Sequence, residues 1–355
     1  MHLGMFMMPL HPPAKSRTVC FDEDIETIVY ADELGFTEAW IGQHHSVAWE
    51  PIPANDVFIA NVLPRTKQIR LGTGVSIIPQ HHPVNIAVRL AFLDHLSKGR
   101  IACGFGQGGV PTDWGLFDLP DPATQGLMTL EGIEIILKLW TADPPFEFDG
   151  DFWKVKLTET DPTLGIGEVL KPYQQPLPPI AMSVIKGDSR AATMAGERGW
   201  WPLSTNLVPP STVAQHWPTY VAGADRSGRD ASREDWRISR SIFVGASTAE
   251  AEDHCANGTL RDAFAYLVKI LGSLGQLQLM KSDPDMPDEA VTADYCLKEL
   301  CIIGDRQTVI DRLHALHDEV GGFGTLLMIA HDWDDEAKWR ASMRTLATDI
   351  VPKLP

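Results

Sequence analysis

Basic side chains are scarce in this sequence of 355 residues, which has 30 Lys and Arg against 47 Asp and Glu and a formal net charge of −17. The deficit argues against binding to nucleic acid or to an anionic membrane, because both take Lys and Arg. No apolar run approaches the roughly 18 residues of a membrane-spanning helix. The remaining composition, 44% apolar and 22% charged, is that of an ordinary globular enzyme, and we expect a soluble, cytoplasmic protein.

Cysteine is also sparse, and no two cysteines form a CxxC pair, so we expect reduced thiols. The five are Cys20, Cys103, Cys255, Cys296 and Cys301. The adjacent histidines at 44–45 and 81–82 lack the HExxH or carboxylate–histidine spacing of a zinc site, and we expect no metal. The apolar first ten residues lack a basic leader and are interpreted as a strand.

What the sequence does have is a repeated alternation of strand-like and helix-like segments. Eight segments are predicted as strands: residues 2–8, 38–42, 69–78, 100–105, 180–184, 201–204, 237–244 and 325–329. Segments with apolar residues at helical spacing separate them. Alternation over this length favours a closed barrel over a doubly wound sheet, so we predict an α/β fold, a (β/α)₈ TIM barrel, as a single domain over 1–355.

Two stretches fall outside this alternation. Residues 144–157 are typical of a hairpin that turns at Asp149–Gly150, and the chain up to Pro179 is rich in Pro, Gly and polar residues. We therefore predict an insertion at about 141–179, after the fourth β/α unit. Residues 275–295 are polar and interrupted by prolines, and we expect a mobile excursion there.

The active site of such a barrel lies where the strands end, so the residues that follow each strand are the candidates. After the second strand come His44 and His45, of which only one can face the barrel mouth. That histidine could transfer protons near neutral pH, or both could be hydrogen-bonded structural residues. After the fourth strand, residues 104–109 contain GxGxxG, but no helix opens there. We interpret these glycines as a stretch of backbone without side chains that a flat ring can approach closely, and not as a dinucleotide-binding fingerprint.

The segment after the fifth strand has the features of an anion site. Ser183 and Ser189 lead into a helix start, where hydroxyls and free backbone N–H groups favour an anion. Lys186 and Arg190 could add positive charge. A simple capped helix is the alternative.

Together these segments resemble the bacterial luciferase-like flavin-dependent monooxygenases, over nearly the whole chain and most closely in residues 1–110. The resemblance is carried by GFTEAWIGQHH (35–45), LGTGVSIIPQHHPV (71–84) and FLDHLSKGRIACGFGQG (92–108), and more weakly by GDFW (150–153) and PPIAMS (178–183). The run SVIKGDSRAATMAGERG and the ending GGFGTLLMIAHDW are most similar to the limonene monooxygenase and diketocamphane monooxygenase branch.

The resemblance implies an enzyme that takes reduced FMN from a separate NAD(P)H-dependent flavin reductase. Oxygen would add to the flavin at C4a, and the resulting peroxide would oxygenate the substrate. Relatives of this kind are commonly homodimers. An F420-dependent oxidoreductase on the same barrel and a non-catalytic flavin-binding protein are the alternatives.

The resemblance also implies roles for individual residues. His44 matches the active-site histidine, and Gly74–Val75 match a bulge beneath the flavin ring that often holds a non-proline cis peptide. The cofactor contacts expected from the resemblance and from the anion site are Gly74, Val75, Gly106, Gln107, Met182, Ser183, Lys186, Ser189 and Arg190. Light-emitting luciferases carry a reactive cysteine at the position of Gly106 and a phosphate-binding arginine at that of Gln107, so the luciferase reaction itself is in doubt. Asp94 and Arg100 match a family signature and are interpreted as structural.

Aromatic and apolar residues near the predicted mouth indicate the substrate class. The candidates for the pocket are Phe6, Met8, Trp49, Phe105, Trp114, Phe117 and Trp153. Such a pocket gains about 25 cal/mol per Å² of buried apolar surface but has little to pair with a carboxylate. We expect a small neutral substrate such as a terpene or cyclic ketone, although each of these side chains could instead belong to the core or an interface. The sequence does not choose between epoxidation, hydroxylation and Baeyer–Villiger insertion.

Overall fold

A closed ring of parallel strands forms the centre of the computed structural model, which describes residues 1–355. The strands are β1 (His2–Met7), β2 (Glu38–Ile41), β3 (Arg70–Thr73), β4 (Ser76–Ile77), β5 (Ile101–Gly106), β6 (Phe146–Asp149), β7 (Lys154–Leu157), β8 (Ile180–Val184), β9 (Trp201–Ser204), β10 (Arg237–Val244), β11 (Cys301–Gly304) and β12 (Thr325–Ile329). Eight of them close the ring in the order β1-β2-β3-β5-β8-β9-β10-β12, and β12 pairs back with β1. They are the eight predicted strands, and the TIM barrel is confirmed.

Helices surround the ring and follow its strands. They are α1 (Arg17–Glu33), α2 (Asn55–Val62), α3 (Pro83–Ser97), α4 (Pro111–Leu116), α5 (Pro122–Thr141), α6 (Arg190–Arg198), α7 (Pro210–Ala214), α8 (His216–Arg226), α9 (Thr248–Asn257), α10 (Thr259–Ser273), α11 (Ala293–Glu299), α12 (Arg306–Val320) and α13 (Glu336–Thr345). No helix combines the length and the apolar character needed to cross a membrane.

One strand was not predicted. β11 pairs with the second half of β10, from Ser241 to Val244, whereas the first half of β10 pairs with β12. β11 has only four residues and begins almost directly after α11, without a turn signal to mark it. A short apolar run next to a helix has no periodicity of its own, which is why the sequence did not reveal it.

The insertion after the fourth β/α unit is present as predicted. β6 and β7 form an antiparallel hairpin, with Asp149 opposite Lys154, so the turn spans residues 150–153 and lies slightly later than expected. The Glu131 carboxylate of α5 accepts the backbone N–H groups of residues 151–153 and fixes the hairpin to the barrel. Residues 275–295 contain two short 3₁₀ turns, and their mobility stays a prediction.

A polar plug closes the amino end of the barrel. Arg237 Nε lies 3.2 Å from Glu38 Oε1, and the Arg237 guanidinium lies over the Trp201 ring, 3.5 Å from its centroid. Trp40 Nε1 also donates to Glu38 Oε1 at 2.8 Å. The Trp40 ring fills the interior so closely that a Cβ on Gly72 would lie 2.4 Å from it. With this end filled, the carboxyl end is where a ligand can enter.

Asp94 and Arg100 lie at the amino end of β5 and make structural contacts. The Asp94 carboxylate accepts the backbone N–H of Gln174 at 2.8 Å, which ties the insertion to α3. The Arg100 guanidinium donates to the carbonyl of Ile69 at 3.1 Å, at the start of β3. Both contacts agree with the structural role expected for these residues.

A buried ionic cluster joins the first and last strands of the ring. His11, which follows β1, is fully buried, and its Nδ1 lies 2.6 Å from Asp332, which follows β12. Its Nε2 lies 3.0 Å from Asp24 of α1, and Lys15 contacts Asp332 at 2.6 Å. Burial alone would lower the pKa of His11, but the hydrogen bonds and charges of Asp24 and Asp332 raise it to about 9.

This cluster predicts a loss of stability at alkaline pH. The pKa of His11 is raised above its ordinary value of 6.5, so the stabilisation is complete below about pH 6.5 and disappears as the pH rises through 9. We expect the free energy of unfolding to fall by roughly 1–3 kcal/mol between pH 7 and 10, measured by urea denaturation. His11→Asn should remove the part of this fall that His11 contributes and leave the part that the raised pKa of His44 contributes, whereas His2→Asn, at an exposed position, should retain the whole fall. A wild-type stability that does not fall over this range would refute the role of His11.

Candidate functional site

The two adjacent histidines lie at the carboxyl ends of the strands and face different spaces. His44 follows β2 and, with Met8 and Gly42, lines a cavity between the ends of β1 and β2 that is also open to solvent and has about 180 Å³ of empty space. His45 lines a separate outer cleft of about 450 Å³, open to solvent, between these strand ends and the helices α2 and α3. Residues that alternate along an extended chain point to opposite sides, which accounts for the division. His44 is therefore the histidine at the mouth.

Two carboxylates contact the His44 ring, one near each nitrogen. Glu50, from the same loop, places Oε2 3.0 Å from Nε2, and Asp113 of α4 places Oδ2 3.6 Å from Nδ1. Asp113 is held in turn by the backbone N–H of Ser46 at 2.8 Å and of His45 at 3.3 Å. Burial alone would lower the pKa of His44, but the charges and hydrogen bonds of Glu50 and Asp113 raise it to about 10.

The cis peptide implied by the resemblance is present. The Gly74–Val75 peptide bond, between β3 and β4, is cis. The Val75 side chain is half-buried, and its carbonyl accepts a hydrogen bond from Asn55 Nδ2 at 3.2 Å. The same amide donates to the carbonyl of Ile41 at 3.3 Å, so Asn55 joins the end of β2 to this bulge. The Phe6 ring lies on the inner side, about 3.2 Å from the Cβ position of Gly74.

The glycines of β5 keep the backbone next to this bulge bare. A Cβ on Gly104 would lie 2.1 Å from the carbonyl oxygen of Thr73, and one on Gly106 would lie 2.6 Å from Val75 Cγ2. The Val75 side chain therefore occupies the space that a side chain at position 106 would need. This explains in physical terms why glycine stands where light-emitting luciferases have a cysteine. Gln107, the next residue, is exposed.

The segment after β8 is only partly as expected. Ser183 is exposed on the inner side of the barrel wall, and Lys186 and Arg190 are exposed in the following loop. Ser189 is the N-cap residue of α6, and its side chain makes no capping bond. The Met182 side chain is 5% exposed and packs in the core between the ring and the helices. Only the backbone of Met182 can reach the mouth.

The proposed apolar pocket does not form one wall. Phe6 and Met8 lie at the mouth, and the ring of Phe117 contacts His45 edge-on, with centroids 4.7 Å apart. Trp114 is half-buried on α4, Trp49 stacks on Tyr266 of α10, and Trp153 packs against α5 near Gly132.

Phe105 is a correction, because it is fully buried with its ring centroid 6.4 Å from that of Trp140 on α5. Phe105 alternates with the inward glycines of β5 and so points to the outer core.

The sequence reasoning missed three residues of the site: Glu50, Asp113 and Asn55. Each is a polar side chain buried to more than nine-tenths. A buried polar group without a partner is costly, so burial of this kind indicates a specific contact. No spacing in the sequence connects Asp113 with His44, because their contact exists only where the loops after β2 and β5 meet.

Comparisons with known proteins agree with this geometry. The family of luciferase-like monooxygenases matches residues 1–321. The chain is 32% identical to 4-hydroxyprotoasukamycin monooxygenase of Streptomyces nodosus subsp. asukaensis, over 99% of this chain and 91% of that protein. It is 28% identical to limonene 1,2-monooxygenase of Rhodococcus erythropolis, over 98% of this chain and 85% of that protein.

A solved structure is similar over its whole length. It is the oxygenating constituent of 3,6-diketocamphane monooxygenase from Pseudomonas putida, a type II Baeyer–Villiger monooxygenase in complex with FMN. The TM-score is 0.92 at 26% identity, and the match covers 100% of this chain and 99% of that one. The resemblance stated from the sequence motifs is thus confirmed.

Because Phe105 lies in the core and Phe6 at the mouth, we expect their substitution by alanine to lower the free energy of unfolding by different amounts. Phe105→Ala leaves a cavity in a packed core and should destabilise the protein by about 3–5 kcal/mol. Phe6→Ala shortens a half-buried side chain at the mouth and should cost much less, since its space is open to solvent. Chemical denaturation of both variants measures the difference. Equal losses would mean that Phe6 belongs to the core as much as Phe105 does.

Proposed function

The chain belongs to the luciferase-like monooxygenase family, and we propose that it binds reduced FMN at the barrel mouth and oxygenates a small neutral hydrophobic substrate with O₂. The observation that carries the proposal is the cis bulge at Gly74–Val75, beside which Thr73 and Val75 leave no room for a side chain at Gly104 or Gly106, so that the wall of β5 stays thin there. Such a surface suits an isoalloxazine ring, which needs close approach over a wide area.

The remaining residues of the mouth fit the other parts of FMN. Ser183, Ser189 and the first N–H groups of α6 offer hydrogen-bond donors to the phosphate, with Lys186 and Arg190 as nearby positive charges. When bound, reduced FMN supplies two electrons, which with O₂ place one oxygen atom in the substrate and the other in water. His44, beside the inner cavity, can donate a proton to an oxygen that leaves as water.

The charges at the mouth support a neutral substrate. Glu50 and Asp113 with the protonated His44 have a combined charge of −1, since two carboxylates surround one imidazolium. A carboxylate or phosphate ester would be repelled there, while Phe6 and Met8 offer apolar surface. The limonene and diketocamphane monooxygenases among the relatives are named for neutral hydrophobic compounds, which supports a terpene or cyclic ketone.

A separate flavin reductase completes the proposed system. The GxGxxG sequence at residues 104–109 spans the end of β5 and the loop before α4. A helix does follow it, contrary to the expectation from the sequence, but α4 has only six residues and begins with Pro111, unlike the long helix of a nicotinamide site. A relative named as the oxygenase component of trigonelline monooxygenase supports the proposal that reduced flavin comes from another protein. In keeping with the resemblance, we propose that the chain acts as a homodimer.

A substrate panel tests the function. The protein is supplied with FMN, NADH and a generic flavin reductase under ¹⁸O₂, and offered limonene, camphor-type ketones, medium-chain aldehydes and matched carboxylic acids. We expect one labelled oxygen atom in a neutral product and none in the acids. Oxygenation confined to the acids would refute the inferred pocket. Substrate turnover with reduced F420 without O₂ would establish the alternative oxidoreductase, and flavin binding with no turnover of any compound would establish a non-catalytic binder.

The phosphate site predicts a selective loss of affinity. The double variant Ser183→Ala with Ser189→Ala removes two hydroxyl donors, so it should weaken FMN by about tenfold or more and leave riboflavin, which lacks the phosphate, nearly unchanged. Flavin fluorescence titration measures both affinities. Ser211→Ala, at an exposed position on α7, is the control and should change neither. An equal loss for the two ligands would show that the segment after β8 does not hold the phosphate.

A further inference from the structure

We propose that Glu50 and Asp113 are positioning residues that hold His44 as an imidazolium with a carboxylate at each ring nitrogen, so that His44 serves the reaction as a proton donor and not as a base. The inference rests on the proposed function of the mouth and assigns the protonation state of its histidine. We call the three residues the His44 clamp.

The geometry of the clamp places a carboxylate beside each ring nitrogen, at the distance of an ion pair. Nε2 faces Glu50 at 3.0 Å, and Nδ1 faces Asp113 at 3.6 Å. The three side chains are 15%, 9% and 2% exposed. A neutral ring would have to direct the lone pair of one nitrogen at a buried carboxylate, which is repulsive. A ring with two N–H groups matches both neighbours, and an opposite charge within about 4 Å favours the charged form.

The two carboxylates hold the ring in different ways. Asp113 is fixed from two sides, because the backbone N–H groups of His45 and Ser46 and the hydroxyl of Ser46 all donate to it. The Glu50 carboxylate has the His44 ring as its charged neighbour and lies in the wall of the 180 Å³ cavity. Asp113 therefore sets the direction of the ring, and Glu50 keeps its charge balanced on the cavity side.

The other groups near the clamp do not offer a competing proton donor at neutral pH. His45 is the next residue, and burial lowers its pKa, as does the charge of His44, while Asp113 acts in the opposite sense. Tyr266 of α10 is near enough for the Glu50 charge to act on it, and burial and that charge raise the pKa of its phenol, so it stays neutral. The pKa of Asp113 falls to about 2, against the effect of burial, because His44 and Ser46 donate to it.

The proposed reaction needs a proton donor, and the clamp explains how His44 can be that donor. Substrate, FMNH₂ and O₂ yield the oxygenated substrate, FMN and H₂O, so one oxygen atom must leave as water. A ring nitrogen of His44 gives its proton to that oxygen, and solvent returns a proton to the ring afterwards. The carboxylates keep the ring ready to donate from the acidic range up to about pH 9, because its pKa is about 10.

Charge-removing variants of the same shape test the clamp. Glu50→Gln and Asp113→Asn should each lower the pH at which His44 titrates by at least about 2 pH units. The measurement is a titration by ¹⁵N or ¹³C NMR of the His44 ring, with its signal assigned by its absence in His44→Asn. It needs neither cofactor nor substrate. Asp56→Asn removes a carboxylate that pairs with Arg89 outside the mouth, and it should leave the titration unchanged.

The pH profile of coupled oxygenation is the second readout. In the wild type we expect an even rate from pH 6 to about pH 9. In Glu50→Gln the rate should fall as the pH rises through 7 and return at low pH, which a merely structural defect would not produce. The His44→Ala variant is the control that measures the rate of coupled oxygenation without the His44 proton donor.

Each contrary outcome has a definite meaning. A wild-type His44 that titrates near 6.5, or a Glu50→Gln profile parallel to that of the wild type, would overturn the proposal. A high titration in the wild type that falls in both variants, together with no oxygenation of any compound, would uphold the clamp and refute the proposed function. If Asp113→Asn loosens the loop that Asp113 anchors, Glu50→Gln still decides, because His44 is the side chain that the Glu50 carboxylate pairs with.

Discussion

A barrel of eight strands has little interior volume, and in this molecule the fully buried Trp40 side chain packs inside it against Ala102 and Ala181. The Trp40 ring crosses the interior above the Glu38–Arg237 pair and forces glycine at position 72. On the same inner wall, Gly104 and Gly106 meet the backbone of β3 and the side chain of Val75. A large side chain therefore fills the interior toward the amino end, and glycines line the wall toward the carboxyl end. Since Trp40, Glu38 and Arg237 pack at the amino end, the carboxyl end is the side from which a ligand can approach.

Buried charge is the second constraint, and the molecule meets it in the same way at three places. Arg237 pairs with Glu38 at the amino end, His11 lies between Asp24 and Asp332, and His44 lies between Glu50 and Asp113. In each case at least one carboxylate accompanies the cation, because an unpaired buried charge would cost several kcal/mol. The first two groups join strands or loops. The third lies at a cavity, and this position makes it available for chemistry.

The sequence was sufficient for the barrel and for the place of the site, since both depend on local patterns. Strands of a parallel ring are buried on both faces and appear as short β-branched runs, so all eight were found. The bulge at Gly74–Val75 was implied by the resemblance and is cis. β11 was missed because four residues next to a helix have no period of their own.

The errors concern the direction of side chains and contacts between distant loops. Phe105 was placed at the mouth because it stands near the end of a strand, and Met182 was expected to contact the cofactor because of the family resemblance. A strand alternates its faces, and both side chains point into the outer core. Counting from the inward glycines of β5 would have excluded Phe105 from the sequence alone. Glu50 and Asp113 could not be found in this way, because their contact with His44 depends on how two loops fold over the mouth. The conformation of such loops depends on contacts between residues that are far apart in the sequence.

The division of charge around the mouth follows from these loops and bears on how a two-ended cofactor would lie. The loop after β2 and helix α4 carry a net negative group at His44, whereas the segment after β8 offers Lys186, Arg190 and the positive end of α6. A molecule with a phosphate at one end has its favourable electrostatic position with that end toward α6. Its flat end then comes to the bare wall of β3 and β5. The remaining space, beside His44, Phe6 and Met8, is apolar and slightly negative, so it favours a substrate without charge. In the proposed function, the same difference in charge between the two loops therefore orients the cofactor and selects an uncharged substrate.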